Sequence, residues 1–487
     1  MPERQRVVAI IGGGISGLAA AFRILELSAQ PGAPPLAITL LERGTHLGGT
    51  LDTIRDAGLI AEAGADSFLT EKPAALALVR RLGLESDLIP TRAEFRRTCV
   101  VHNGRLADIP EGFALLAPTR LGPVMRSPIF SARGKIRIAL EPIIPRRKRD
   151  TDETLGAFVS RRLGREALDR LAQPLAGGIY TADPWMLSVR ATMPRFVAME
   201  REHGSLIRGL RAAARERGAV APGISGARFS LFASMRNGMG ALADTLAARI
   251  GESIRLGAAV EAMEREPRGE APPWTLRIAG GATIAADAII CAAPAHVAAP
   301  LVAPFAPELA RWLARIDYAS SAVVNMAFDV RDFPIPPCIA GFVVPIIERR
   351  RIIAGSFTSL KFEGRAPEGQ IVVRAFLGGA LQAGLVDLAD AEMLEIVRGE
   401  FRALLGVEAP PRWTHIRRWL RAMPQYEVGH LRRVEEIERA TAAIPHFALA
   451  GAAYRGVGIP DCIASGERAA ETIFAALAAP PAGDDRH

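Results

Sequence analysis

The chain has 487 residues, 49% hydrophobic and 23% charged, a globular balance with room for two or three sizeable cores. Its formal net charge of +8 favours acidic partners: anionic lipid, a polycarboxylate small molecule or nucleic acid. Only 6% of residues are aromatic, with no basic–aromatic interleaving, so nucleic acid is not expected. No uninterrupted apolar run of about 18 residues predicts a membrane-spanning helix. Segment 281–305 comes nearest, and Asp287, His296 and its prolines break it. Cys99, Cys291, Cys338 and Cys462 are scattered, without Cys-x-x-Cys or His-Glu-x-x-His. Neither a metal site nor a disulfide scaffold is expected, and a reducing cytoplasm fits. Charged first residues lead straight into a strand, with no signal peptide visible.

In chain order, Val7–Ile11 reads as a short β-branched strand, followed by Gly12-Gly-Gly14-Ile-Ser-Gly17 and an Ala-rich helix. This is a dinucleotide cradle. Gly12 permits the turn, Gly14 lets the backbone approach a pyrophosphate, and Gly17 allows close helix–strand packing. The helix N-terminus supplies free N–H groups for the phosphates. A second strand, Ala37–Leu41, ends at Glu42, placed to meet ribose hydroxyls. The long gap before it is explained by a loop at Gln30–Pro35. The pair Gly48-Gly49 lets the chain cross closely over a second piece of cofactor.

The predicted fold class is α/β. A Rossmann-like domain is assembled from residues 1–90, 216–300 and 441–478, around a mainly helical insertion at 91–215 and a mixed-sheet substrate domain at 301–440. In the first insertion, apolar Ile136–Ile144 precedes Arg146–Arg149, a combination that can rest on an anionic membrane surface. Thr151–Thr154 starts a helix carrying Leu155, Phe158, Val159 and Leu163 at helical spacing. Ala288–Ala292 reads as a buried strand of the Rossmann sheet. Ser321–Phe328 and Ile371–Leu377 read as strands of the second insertion, followed by a helix at 390–405. Phe447–Ala450 is a last strand, then comes a glycine string from Gly451 to Gly458 and a helix opening at Pro460 and Asp461. That helix N-terminus suits the electron-rich N1/O2 edge of a flavin. Two helix termini, one for pyrophosphate and one for a ring, imply FAD. Residues 479–487 read as a disordered tail.

The fingerprint, Glu42 with Gly48-Gly49, and the C-terminal glycine string together resemble the flavin amine-oxidase superfamily. Pro174-Leu-Ala-Gly-Gly178-Ile-Tyr180-Thr-Ala-Asp183-Pro-Trp-Met-Leu-Ser188, Ala422-Met-Pro-Gln-Tyr426-Glu-Val-Gly-His430 and Val457–Cys462 resemble the oxygen-dependent protoporphyrinogen/coproporphyrinogen oxidases, in order over residues 5–475. The resemblance implies FAD, with pyrophosphate at Gly12, Gly14, Ser16 and Gly17 and ribose at Glu42. It places Gly49, Gly64, Ala65, Asp66 and Ser67 beside the ribityl chain and isoalloxazine. The Val260 backbone falls at the adenine, and Val457, Gly458 and Ile459 at the flavin edge. His46 stands where relatives often carry Arg.

For the substrate, the resemblance implies Leu175 and Gly178 near the flavin, with Ala340 and Val343 as small wall residues of a wide slot. Relatives grip a propionate with an Arg. A gapless match puts Thr98 there, with Arg96 and Arg97 immediately before it; either a small register shift puts Arg97 there or the carboxylate is held elsewhere, and Arg96 and Arg97 also read as an exposed strand entry. The implied activity is O2-using, six-electron oxidation of a porphyrinogen in haem biosynthesis. Protoporphyrinogen IX is expected ahead of coproporphyrinogen III, although net charge and small wall residues lean toward the latter. Hydride passes to the flavin, so the protein supplies positioning and water exclusion, and no catalytic side chain is expected. An amine oxidase or carotenoid desaturase is less favoured: an amine site would want an aromatic cage, and only Tyr426 and Tyr454 offer C-terminal aromatics. A non-catalytic flavin-bound membrane or interaction protein is the third reading. The implied partners are the porphyrinogen, O2, an anionic surface on the cytoplasmic face of a membrane, and a second copy in a homodimer.

Overall fold

The computed structural model describes residues 5–95, 97–216, 232–265, 273–334 and 338–478. Arg96 and the tail 479–487 lie outside the described residues.

A five-stranded parallel sheet carries the strands Ile254–Arg255, Leu36–Leu41, Arg6–Ile11, Ala288–Cys291 and Phe447–Leu449, in that spatial order. Val8, Ala9, Ile10 and Ile289 are fully buried, as expected of central strands covered on both faces. On one face, the first helix (Ile15–Ser28), the helix Gly240–Ile250 and the last helix (Ile459–Ala478) share a core that includes Leu18, Leu242 and Ile463. On the other face, a three-stranded antiparallel sheet (Val260–Arg265, Trp274–Ile278, Thr283–Ala286) packs with the helices Pro307–Leu313 and His430–Ala442. Fully buried Trp274 centres this second layer, its ring 5.1 Å from Phe305 and 5.8 Å from Phe447.

The second large sheet has seven strands, ordered Trp413–Pro424, Tyr318–Asp329, Gln370–Gly378, Ala354–Ser356, Ile339–Val343, Arg97–His102 and Arg105–Asp108. Val324, Met326, Phe328, Val373 and Ala375 face the helix Asp390–Leu405 through Met393, Val397 and Phe401. Asn325, Ala327, Val372 and Arg374 alternate onto the opposite face, toward the hairpin Thr53–Glu62.

This sheet moves the boundary drawn at residue 91. Arg97–His102 pairs in parallel with Ile339–Val343, more than 230 residues later, so residues 97–108 belong to the mixed sheet rather than to the helical insertion. The helices at 307–313 and 430–442 likewise pack in the Rossmann layer. Local patterning carries no information about such distant pairing.

The helical part folds around Phe158, Leu171, Phe196 and Leu206. Its expected helix start holds: the Thr154 hydroxyl accepts the Ala157 N–H at 3.1 Å and caps Leu155–Leu163. Arg162 and Glu141, both fully buried, pair there, and Glu141 also accepts the Leu206 N–H at 2.8 Å. Ile136–Ile144 is a helix and a turn, with Ile138 buried and Ile136, Leu140 and Ile143 exposed. Among the described residues, no helix is long and apolar enough to cross a membrane.

Candidate flavin site and substrate slot

The glycine turn has the geometry that close approach demands. Gly12 adopts φ +106°, and a Cβ there would meet the Ala292 backbone at 3.1 Å. A Cβ on Gly17 would lie 1.9 Å from the Gly12 carbonyl oxygen. Gly14 is different: nothing lies within 4 Å of its Cβ position, so the space is open for a ligand. Gly14 also caps the first helix without a side-chain partner for the first-turn N–H groups. A bare, unobstructed helix N-terminus fits a pyrophosphate.

Glu42 ends the second strand. Its carboxylate accepts the Gly13 and Gly44 N–H groups, each at 2.7 Å, leaving lone pairs for ribose hydroxyls. The Ala258 N–H donates to the Glu42 carbonyl at 2.8 Å, which draws Gly257–Val260 to the same end of the cradle. Gly48 bridges Gly14, and its N–H donates to the Gly13 carbonyl at 2.8 Å. Gly49 follows, 3.3 Å from Gly14 Cα when given a Cβ. Gly64 and Ala65 run against Thr50, whose carbonyl accepts the Ala65 N–H at 3.1 Å. Gly13, Gly14, Glu42 and Gly48 are thus held together by backbone and carboxylate hydrogen bonds at the turn. The His46 imidazole lies 3.1 Å from the Arg417 guanidinium, so a cation from the mixed sheet stands beside it.

Asp66 is held by residues absent from the sequence reading. Burial would push its carboxyl up, but Lys361 at 3.0 Å and Arg374 at 3.5 Å outweigh burial and hold it well below the usual carboxylate range. Ser67 donates to it at 2.8 Å. Arg374 also donates to the Gly64 carbonyl. Lys361 and Arg374 come from the mixed sheet and its adjoining helix, so no spacing in the sequence announces the contact.

The flavin-edge loop is pinned by Tyr426. Its hydroxyl donates to the Ala452 carbonyl at 2.6 Å and accepts the Gly456 N–H at 2.8 Å. The ring stacks on His430 at 3.9 Å, and the His430 Nε2 meets the Tyr454 carbonyl at 2.8 Å. Burial lowers the His430 pKa to about 4. Tyr426 is thus a buried strut rather than part of an aromatic cage, and Tyr454 is buried too. The last helix begins just past Gly458, its Asp461 tied to Lys72 at 2.6 Å. Gly466 of that helix, where a Cβ would lie 2.0 Å from the Ser16 carbonyl oxygen, brings the two helices into contact beside the cradle.

The residues expected along the substrate wall meet where the helix Gln173–Tyr180 faces the mixed sheet. Leu175, Val100 and Val343 share one apolar cluster, against which Ala354 and Val457 pack. A Cβ on Gly178 would touch Val343 at 3.8 Å. Val457 thereby joins the slot to the flavin-edge loop. Ala340 is buried beside a bulge on the same strand, and its carbonyl accepts the Phe357 N–H at 2.9 Å.

The expectation for Arg97 is corrected. Arg97 shares its strand face with Cys99 and Val101, which pack toward the helix Asp390–Leu405, and its guanidinium pairs with Asp108. Thr98 and Val100 take the alternate face, on which Val100 joins the Leu175–Val343 cluster. The gapless match, Thr98, is therefore the one on the side of that cluster. Its Oγ1 is buried without a partner.

A parallel sheet with a glycine cradle, an acid at the end of the second strand and a second helix terminus across the fold defines a flavin-dependent oxidoreductase. The profile of the flavin-containing amine oxidoreductases matches residues 15–474, and the chain belongs to that family. It is 34% identical to a coproporphyrinogen III oxidase of Propionibacterium freudenreichii subsp. freudenreichii, covering 98% of this chain and 93% of the relative. It is 31% identical to a bovine protoporphyrinogen oxidase, covering 96% and 98%. A crystal structure of a candidate protoporphyrinogen oxidase from Exiguobacterium sp. 255-15 superposes with a TM-score of 0.83 at 30% identity, covering 96% of this chain and 99% of the other.

Proposed function

We propose that the chain oxidises a porphyrinogen to its porphyrin with bound FAD and O2. The observation that carries this reading is the apolar cluster of Leu175, Val100 and Val343, with Gly178 alongside, against which Val457 of the C-terminal glycine loop packs. The bovine relative supports protoporphyrinogen IX, the substrate expected from the sequence. Coproporphyrinogen III is the second reading, favoured by the bacterial relative at 34% identity.

Bound flavin supplies a two-electron acceptor for hydride from a methylene bridge, and the remaining work falls to the protein. The first helix terminus would hold the pyrophosphate and Glu42 the ribose. The last helix terminus, its preceding loop pinned by Tyr426, would offer free N–H groups to the ring. The slot walls lay the macrocycle flat and exclude water. A carbon losing hydride becomes a cation spread over two pyrroles, whose N–H then acidifies, so no strong base is required of the protein. Three such rounds remove six electrons and six hydrogens, and three O2 become three H2O2. Exposed Ile136, Leu140 and Ile143, flanked by Arg133 and Arg146–Arg149, support peripheral contact with an anionic bilayer.

The test is aerobic and anaerobic incubation of the purified yellow protein with each porphyrinogen, following porphyrin fluorescence and H2O2. Oxygen-dependent growth of both signals is expected. A flavin-loaded protein that turned over amines and left both porphyrinogens untouched would refute the proposal.

A further inference from the structure

Residues 62–66 lead from the hairpin Thr53–Glu62 into the segment expected beside the flavin, and they lie across the mixed sheet. Two of their N–H groups pair locally: Ala63 donates to the Asp52 carbonyl at 2.8 Å and Ala65 to that of Thr50 at 3.1 Å. Four of their carbonyls are taken by side chains from far along the chain. The Asn325 amide donates to the Glu62 carbonyl at 3.2 Å, the Trp419 indole to that of Ala63 at 2.7 Å, and Arg374 to that of Gly64. The Ser234 hydroxyl donates to the Asp66 carbonyl at 2.7 Å. Trp419, Asn325 and Arg374 stand on three adjacent strands of the mixed sheet, and Asn325 and Arg374 are direct cross-strand neighbours. The sheet therefore grips this strip by its backbone.

The same strip brings two carboxylates into the contact. Glu62, fully buried, accepts from the Thr53 hydroxyl at 2.6 Å and the Met239 N–H at 2.8 Å, with Arg365 at 3.7 Å. Asp66 lies between Lys361 and Arg374. Arg365 is fully buried and also donates to Ser234 at 2.7 Å and to the Met235 carbonyl at 2.9 Å. Three cations thus meet two carboxylates, and burial pushes the Glu62 carboxyl up, toward its neutral form. The excess charge is positive, and out of water its field is weakly screened. A buried ion cluster adds little net stability over apolar packing, so its placement calls for another reason. Arg374 is the joint of the cluster. It is 2% exposed and bridges the Asp66 carboxylate and the Gly64 carbonyl, two groups of one strip.

We propose that Arg374 is a positioning residue for the flavin: it fixes the strip through Asp66 and Gly64, and its charge, with those of Lys361 and Arg365, raises the flavin's midpoint potential. The inference rests on the reading that FAD lies along Gly64–Ser67. Reduction adds negative charge to the ring, and a positive excess beside the strip favours that state.

The experiment compares flavin-loaded wild type with Arg374→Met, Asp66→Asn and the double variant. Arg374→Lys and Lys361→Met are milder probes that read the same quantities should Arg374→Met not fold, which far-ultraviolet circular dichroism checks. Reductive titration against a reference dye gives the midpoint potential, and equilibrium dialysis gives FAD affinity. Arg374→Met and Lys361→Met should lower the potential and Asp66→Asn should raise it, each by about 30 mV, a tenfold shift of a two-electron equilibrium. The double variant should return to within about twofold of the wild-type equilibrium. Arg374→Lys should keep the potential within the same limit and bind FAD about tenfold more weakly, since one ammonium cannot span Asp66 and Gly64 as a guanidinium fork does. Loosened packing would move Arg374→Met and Asp66→Asn the same way. Shifts of one sign, or potentials and FAD affinity unchanged throughout, overturn the proposal. Opposite shifts in a protein that leaves both porphyrinogens untouched overturn the proposed activity and leave Arg374 in its role. Porphyrin formation with potentials indifferent to these residues does the reverse.

Discussion

Tyr426→Phe removes one oxygen atom from a packed site, and the structure says what that oxygen does. It donates to the Ala452 carbonyl at 2.6 Å and accepts the Gly456 N–H at 2.8 Å, inside a residue only 1% exposed. The phenyl ring can keep its stack on His430. Two backbone groups of the flavin-edge loop, however, lose their partner. Stranding each costs about 1–3 kcal/mol, so a loss of about 2–6 kcal/mol is expected. Tyr454→Phe is the matched control, because the Tyr454 hydroxyl is buried with no partner. Removing it should change stability by less than about 0.5 kcal/mol, or raise it. Urea unfolding of flavin-loaded protein, followed by tryptophan and flavin fluorescence, measures both, and equilibrium dialysis gives FAD affinity. Tyr426→Phe should release flavin earlier in the titration and bind it about tenfold more weakly, since a loosened loop must be ordered again on binding. Equal midpoints for the two variants would refute the strut.

Three further outcomes are expected. Gly14→Val fills the one open Cβ position of the turn, so the purified protein should lack the flavin spectrum while retaining its far-ultraviolet circular dichroism. Arg97→Ala should leave KM for either porphyrinogen within about twofold, because the side chain faces away from the slot; a large rise measured by steady-state kinetics would restore it to the site. Acidification should destabilise the fold in two windows. His430 is depressed from 6.5 to about 4, so unfolded chains bind its proton first, and about 3 kcal/mol is lost as pH falls from 6.5 toward 4. Asp66, depressed by Lys361 and Arg374, contributes stability that is present above pH 3.8 and lost below it. Melting His430→Gln across the first window should show a shallower slope than wild type.

The nucleotide half was legible in the chain because its signals are local. A glycine turn must combine φ +106° at Gly12, an empty Cβ position at Gly14 and near contact at Gly17 within six residues, and few residues other than glycine satisfy that. Glu42 and the Val457–Ile459 string sit at a strand end and a helix start, which also leave a local trace. Tyr426 and His430 were visible as a motif, but their role as props for the loop at 452–456 was not.

The substrate side was decided by packing. Thr98 and Arg97 are neighbours in sequence and opposites in space, because a strand turns alternate side chains to opposite faces and only its partners say which face is which. The partner here is Ile339–Val343, joined in parallel across the length of the chain. Lys361 and Arg374 reach Asp66 from roughly 300 positions away, and the turn at 346–348 is fastened to Gln173 and to the 103–104 hairpin. Short-range order writes itself into residue types and spacings. Which buried charges meet, and which face of a strand sees the substrate, follow from long-range pairing that no stretch of the chain encodes alone.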